Sequence, residues 1–190
     1  MARYVVLVDI SGSMTCKLKI LKEFLQNYWL PYLMGTPPVN EVALISFSSD
    51  VCVLSNYTTD IVTLKNLIGG LATSGCGGPM TSLWDAIIVG LVFENPKPDA
   101  LYVWSDWGDT QSDASQSNME DLATSLDIPV NICLPYPWMQ DPNCMQMAVV
   151  VLPPIKAIPF AKSMELASNI QKRLKVARVI QDPKEFLRKA

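Results

Sequence analysis

Residues 8–14, "VDISGSM", leave the apolar run "RYVVLV" (3–8) with an acid and two hydroxyls on alternate positions: Asp9, Ser11 and Ser13. A near-continuous apolar run reads as a central strand covered on both faces, so these polar side chains stand where that strand ends. Such a set can cap a following helix by accepting from free N–H groups. It can be a nucleophile with its helpers, or three hard oxygen donors for a cation. The rest of the chain has to decide.

Leu18, Leu21, Leu25, Tyr28 and Tyr32 recur at helical spacing, which predicts a long helix that ends or kinks near Pro31. "EVALISFS" (41–48) and "VCVLS" (51–55) read as strands, and the short link between them favours an antiparallel pair. A helix near 60–68 leads into "GGLATSGCGGPMTS" (69–82), where five glycines and a proline mark a loop that brings its backbone close to something. Another helix begins at about Ser82, with Leu83, Ala86, Ile87 and Leu91 facing inward. "ALYVWS" (100–105) is a strand ending in the polar loop "DWGDTQSD", and a helix near 116–126 precedes the strand "PVNICL" (129–134).

Beyond that, 135–161 is the least regular stretch, with "YPWMQDPNC" as a loop and "MAVVVL" as an extra strand. "AKSMELASNIQKRL" reads as a helix, "VARVI" as a strand and "DPKEFLRK" as a closing helix with Asp182 at its cap. Strands alternating with helices imply a three-layer α/β/α sheet, doubly wound and mostly parallel, with one antiparallel edge strand. A chain of 190 residues fits one domain, 1–190, with no internal repeat. In such sheets the loops at the carboxyl ends of the strands are the ligand site.

Composition narrows the function. Apolar residues make up 49% of the chain, yet no apolar stretch reaches the roughly 20 residues that span a bilayer. "MARYVVLVD" has neither the apolar length nor the cleavage site of a secretory signal. The expectation is a soluble cytoplasmic protein without a membrane partner. There is no histidine, which removes histidine triads, histidine bases and imidazole-rich zinc sites together. Five cysteines, at 16, 52, 76, 133 and 144, are an odd number without a C-x-x-C pair. They are expected to be buried fillers or free thiols rather than a complete disulfide framework.

The net charge of −3 conceals an asymmetry: residues 1–155 hold 15 acids and 6 bases, whereas 156–190 hold 3 acids and 9 bases. The basic segment 156–190 is the one hint of nucleic acid, and it lacks an aromatic stacking pattern. Solvated terminal helices that offset an acidic body explain it as well.

Three loops then carry chemistry on one rim. They bring Asp9, Ser11 and Ser13; Thr81 at the end of the glycine-rich segment; and Asp106 directly after "LYVWS". Two carboxylates and three hydroxyls suit magnesium, manganese or calcium, and neither zinc nor copper. On this reading Gly12 lets the first loop turn sharply between its serines, and Gly77 and Gly78 let the Thr81 loop approach a bound ion.

"VDISGSM" after an apolar strand, a glycine-rich loop leading to "TSL" at a helix start, and a strand ending in "SDWGD" resemble a von Willebrand factor A-type (vWA) domain with a metal-ion-dependent adhesion site (MIDAS). The resemblance extends in element order over nearly the whole chain. It implies a Rossmann-like vWA fold in which Ser11, Ser13 and Thr81 ligate a divalent cation directly and Asp9 and Asp106 act through water or directly. It also implies an open coordination position, filled by a glutamate or aspartate of a partner protein. The function so implied is metal-dependent protein recognition without catalysis. The chain departs from the family's usual threonine-aspartate-glycine at the fourth strand, because Trp107 separates Asp106 from Gly108; Asp109 is therefore an alternative acid.

Rival readings remain. A phosphatase of the haloacid dehalogenase kind needs a second aspartate two residues after the first, where this chain has Ser11. A phosphate-binding loop needs a lysine and a following hydroxyl that "GGLATSGCGG" lacks. A structural assembly subunit on the same fold, with a weakened metal site, is the more serious alternative. Met80, Trp84, Trp107 and Trp138 could rim the metal as interface anchors or lie in the core, and Trp107, inside a polar loop, is the best candidate for the rim.

Overall fold

The computed structural model describes residues 1–35, 39–94, 96–106, 108–133 and 178–180. The expected strand 147–152, the helices over 161–174 and 182–189, the loop at 136–144, and Trp107 and Trp138 lie outside the described residues.

The apolar runs form the strands they predict: β1 (Arg3–Asp9), β2 (Glu41–Phe47), β3 (Val51–Thr58), β4 (Ala100–Trp104), β5 (Val130–Cys133) and β6 (Arg178–Ile180). They join into one sheet in the order β3-β2-β1-β4-β5-β6. All pairs are parallel except β2 and β3, whose short link makes the antiparallel edge. β1 lies in the interior and leads to β2 on one side, while the chain reaches β4 on the other. The crevice between β1 and β4 is therefore a switch point, where the carboxyl ends of two parallel strands open side by side.

Side chains alternate across β1. Val5 and Leu7 pack on one face with Ala43 and Ile45 against α4 (Leu83–Leu91) and α5 (Gln116–Leu126). Val6 and Val8 pack on the other with Val42 and Leu44 against α1 (Leu18–Phe24), α2 (Leu30–Met34) and α3 (Ile61–Gly69). Both faces are thus covered, which is why these strands carry so few polar residues. Each large aliphatic side chain buried this way contributes about 1.5–3 kcal/mol.

Local signals account for the helix boundaries. Asp60 caps α3, accepting from the Val62 and Thr63 N–H groups, and Ser115 with Asn118 closes a capping box on α5. The first helix is interrupted just ahead of Pro31 and ends three residues after it, near where the sequence places its end or kink. Proline has no N–H to donate and its ring crowds the preceding turn. A single π turn, Leu25–Trp29, shifts the hydrogen-bond register just ahead of it. The helix then runs as α2 to Met34 and stops at Gly35, whose φ of 68° few side chains tolerate.

The cysteines overturn another expectation. Cys52 on β3 and Cys76 in the glycine-rich loop form a disulfide, and Cys16 is disulfide-bonded as well. Cys133 is buried at the end of β5. An odd count with no C-x-x-C conceals such pairing because partners are chosen by the fold: α3 returns the chain to the edge strand and sets Cys76 against Cys52.

Candidate functional site

Asp9 is the last residue of β1, and Val8 is level with Trp104 in β4, so Asp9 stands beside Ser105. It is fully buried. One carboxylate oxygen accepts from the Ser11 N–H at 2.8 Å and the other from the Ser105 hydroxyl at 2.6 Å. Burial, and after it the nearby Asp106 carboxylate, push the Asp9 carboxyl up to about 7, against the lowering effect of those hydrogen bonds.

From Asp9 the cluster extends outward. The Ser11 and Ser13 hydroxyls are 3.2 Å apart, and Ser13 Oγ donates to Asp106 Oδ1 at 3.1 Å. Ser11 is buried and Ser13 is exposed, so the hydroxyls step from the core to the surface. Lys17 Nζ donates to the other Asp106 oxygen at 2.6 Å and to the Ser13 carbonyl at 3.3 Å. Neither the short 3-10 turn at Gly12–Met14 nor α1 receives a side-chain cap from this stretch. The helix-cap reading of Ser11 and Ser13 is therefore not what the structure shows.

The Thr81 loop is tied to both neighbours. Gly12 N–H donates to the Pro79 carbonyl at 2.9 Å, and a Cβ on Gly12 would sit 3.3 Å from that same oxygen. Gly12 thus serves a close backbone approach. On the other side Thr81 N–H donates to Thr110 Oγ1 at 2.9 Å, and the Thr81 carbonyl accepts from the Thr110 and Gln111 N–H groups. Thr81 itself is buried. The three loops therefore bond pairwise: first to second through Gly12 and Pro79, second to third through Thr81 and Thr110, third to first through Asp106 and Ser105.

Gly77 and Gly78 do something other than expected. Both have positive φ, at 84° and 142°. A Cβ on Gly77 would run into the Asp50 carboxylate, and one on Gly78 would lie 2.8 Å from Ser49 Oγ. They let the loop pass the β2–β3 turn, where Asp50 N–H donates to the Cys76 carbonyl and the Ser48 hydroxyl donates to the same oxygen. The glycines hold the loop against the sheet edge, and Thr81 follows from that anchoring.

The two acids after β4 have separate surroundings. Asp106 faces Ser13 and Lys17. Asp109 Oδ1 accepts from the Leu83 N–H at 2.8 Å, the Trp84 N–H at 3.4 Å and the Ser112 hydroxyl at 2.5 Å. It caps α4, whose own cap residue, Ser82, makes no side-chain cap bond. Of the four rim candidates, Trp84 is a core residue and Met80 is half-buried, its N–H on Ser49 Oγ.

Sequence reasoning missed Lys17 and Ser105. Lys17 lies one helical turn beyond Ser13, and Ser105 immediately precedes Asp106, so spacing could have pointed to either. The donors gathered here are carboxylate and hydroxyl oxygens, which fit a hard divalent cation. Among the described residues no three or more histidine, cysteine or acidic side chains come together as a metal-holding group, here or elsewhere, so a cation at this rim would rest on two carboxylates and on hydroxyls.

No family model matches the chain, and no curated protein does. Solved structures do match. An aerotolerance-related membrane protein from Bacteroides fragilis is similar with a TM-score of 0.66 at 16% identity, over 99% of this chain and 98% of that one. BatB from Bacteroides thetaiotaomicron gives 0.66 at 14% identity, over 100% and 95%. The VWA domain of SpRpn10 gives 0.63 at 10% identity, over 100% and 95%. At these identities the likeness is one of fold, and the fold is the Rossmann-like α/β architecture of von Willebrand factor A-type domains.

Proposed function

We propose that this chain is a divalent-metal-dependent protein recognition module, with Asp9, Ser11, Ser13, Thr81 and Asp106 holding magnesium, or manganese or calcium in its place. The observation that carries the reading is the pairwise bonding of the three loops. It ties the loops that carry these residues to one another beside the β1–β4 switch point, while Asp109 lies on a helix cap. When bound, the cation would present an open position to a glutamate or aspartate of a partner protein. The chain's own part is to fix the donors: Ser105 and the Ser11 N–H orient Asp9, and the Gly12–Pro79 contact brings in the Thr81 loop.

Titration calorimetry with magnesium chloride tests the ion, with Thr81→Val and Asp9→Asn expected to abolish binding while the circular dichroism spectrum is kept. Affinity purification from the source cells in magnesium, repeated in EDTA, tests recognition. Partners retained equally in EDTA would overturn the reading. A second reading, a metal-independent assembly subunit, has one observation in its favour, the Lys17–Asp106 ion pair.

Among the described residues no helix is long and apolar enough to cross a membrane. A cytoplasmic setting, expected from the sequence, has the Cys52–Cys76 bond against it, because structural disulfides persist in oxidising compartments. We therefore favour an oxidising one. Alkylation and mass spectrometry of protein from its native source would decide, and free thiols at both positions would restore the cytoplasm.

A further inference from the structure

We infer that Lys17 is an internal cation that competes with the divalent ion for Asp106 and so sets the affinity of the site. The inference rests on the metal-binding reading and adds a residue to it. Lys17 Nζ is 2.6 Å from Asp106 Oδ2, with side chains only 28% and 21% exposed, and it also reaches the Ser13 carbonyl. Its ammonium therefore touches two of the residues assigned to the ion. Ser13 donates to the other oxygen of the same carboxylate, so both Asp106 oxygens are engaged.

The charges explain why a cation belongs there. Asp9 is fully buried, and the Asp106 carboxylate joins the same cluster through Ser13, whose hydroxyl meets that of Ser11. Lys17 offsets that negative charge from the rim. A divalent ion arriving among Asp9, Asp106 and the three hydroxyls meets both an occupied Asp106 and a like charge beside it. Lys17 reaches the rim from just before the first turn of α1, and its long stem allows the ammonium to swing into solvent without moving the helix. Loading the site thus exchanges an internal cation for an external one.

The test compares Lys17→Met and Lys17→Arg with the wild type. Removing a unit charge beside a divalent ion at a largely buried site is expected to tighten magnesium binding on the order of tenfold in Lys17→Met, read by titration calorimetry at fixed ionic strength. Lys17→Arg should stay near wild type. In EDTA Lys17→Met should melt below wild type, because Asp106 then faces Asp9 uncompensated, and saturating magnesium should close that gap. A structural lysine would leave the gap open and the magnesium affinity unchanged. Unchanged or weakened binding in Lys17→Met, with the spectrum of the fold intact, overturns the inference while the metal reading stands. A wild type that binds no magnesium beside a Lys17→Met that does would support it. Silence from both variants and wild type overturns the metal reading, and this inference with it.

Discussion

Ser105 Oγ donates to Asp9 Oδ2 at 2.6 Å, joining the carboxyl ends of β4 and β1 through a fully buried carboxylate. The bond spans 96 residues of sequence, and it holds together the two strands from which the site opens. Ser105→Ala leaves a buried carboxylate oxygen without its donor, which costs about 2 kcal/mol. Urea unfolding in EDTA should show the midpoint falling with an unchanged slope, and Ser105→Thr should recover most of the loss. An alanine variant as stable as wild type would mean that the bond contributes nothing.

The acids after β4 can be separated by two substitutions. Asp106→Ala should weaken magnesium binding by at least tenfold and remove the counter-charge of Lys17. Asp109→Ala should leave magnesium affinity within about twofold, since its carboxylate lies on the α4 N–H groups. It should instead lose about 1–2 kcal/mol of stability, as a missing helix cap does. Calorimetry and urea unfolding on both variants check the assignment, and the reverse pattern would make Asp109 the metal acid.

Asp60 provides a dependence on pH. Bonds from the Thr63 hydroxyl, then from the Thr63 and Val62 N–H groups, hold its carboxyl below the ordinary 3.8. A carboxyl lowered by folding contributes stability that is present above its unfolded value and is lost as pH falls through the folded one. The difference in melting temperature between wild type and Asp60→Ala should therefore be steady near neutrality and shrink below about pH 4. A difference independent of pH would show that the charge of the cap is immaterial.

What could be read from the sequence was what short segments determine. "RYVVLV" is buried on both faces and forms a strand whatever its neighbours, and the helices near 60–68 and 116–126 were legible because their caps, Asp60 and Ser115, bond within their own first turns. The antiparallel pair followed from a link too short for a crossover. Lys17 and Asp106 are 89 residues apart, and no local pattern couples them. The choice between Asp106 and Asp109 was open for the same reason: only the assembled loops show that one faces Ser13 and the other caps α4. Cys52 and Cys76 meet because β3 lies at the sheet edge, a fact of strand order. The glycine-rich loop was read rightly as a close approach, but its object, Asp50 and Ser49, is set by the β2–β3 turn.

Gly77 tests that last point. Its φ of 84° is one that side chains rarely adopt, and an added methyl would run into the Asp50 carboxylate. Gly77→Ala should cost about 1–3 kcal/mol from backbone strain alone. Gly77→Ala combined with Asp50→Ala should recover the part that comes from the clash. Equal losses in the single and double variants would leave the conformation as the whole cause.

The Cys52–Cys76 bond closes a loop of 24 residues, within which lie most of β3, α3 and the first glycines of the Thr81 segment. Chain entropy for a loop of that length gives about 3 kcal/mol of stabilisation, so Cys52→Ser with Cys76→Ser should shift the urea midpoint accordingly. The bond also fixes the start of the segment that carries Thr81 five residues later, on which the Gly12–Pro79 and Thr81–Thr110 contacts depend. The double variant, held in dilute urea-free buffer where it remains folded, should therefore bind magnesium several-fold more weakly than wild type. A variant that loses stability but keeps full affinity would show that the loop's hydrogen bonds to Gly12, Ser48 and Thr110 are enough to position Thr81, and that the disulfide serves the fold alone.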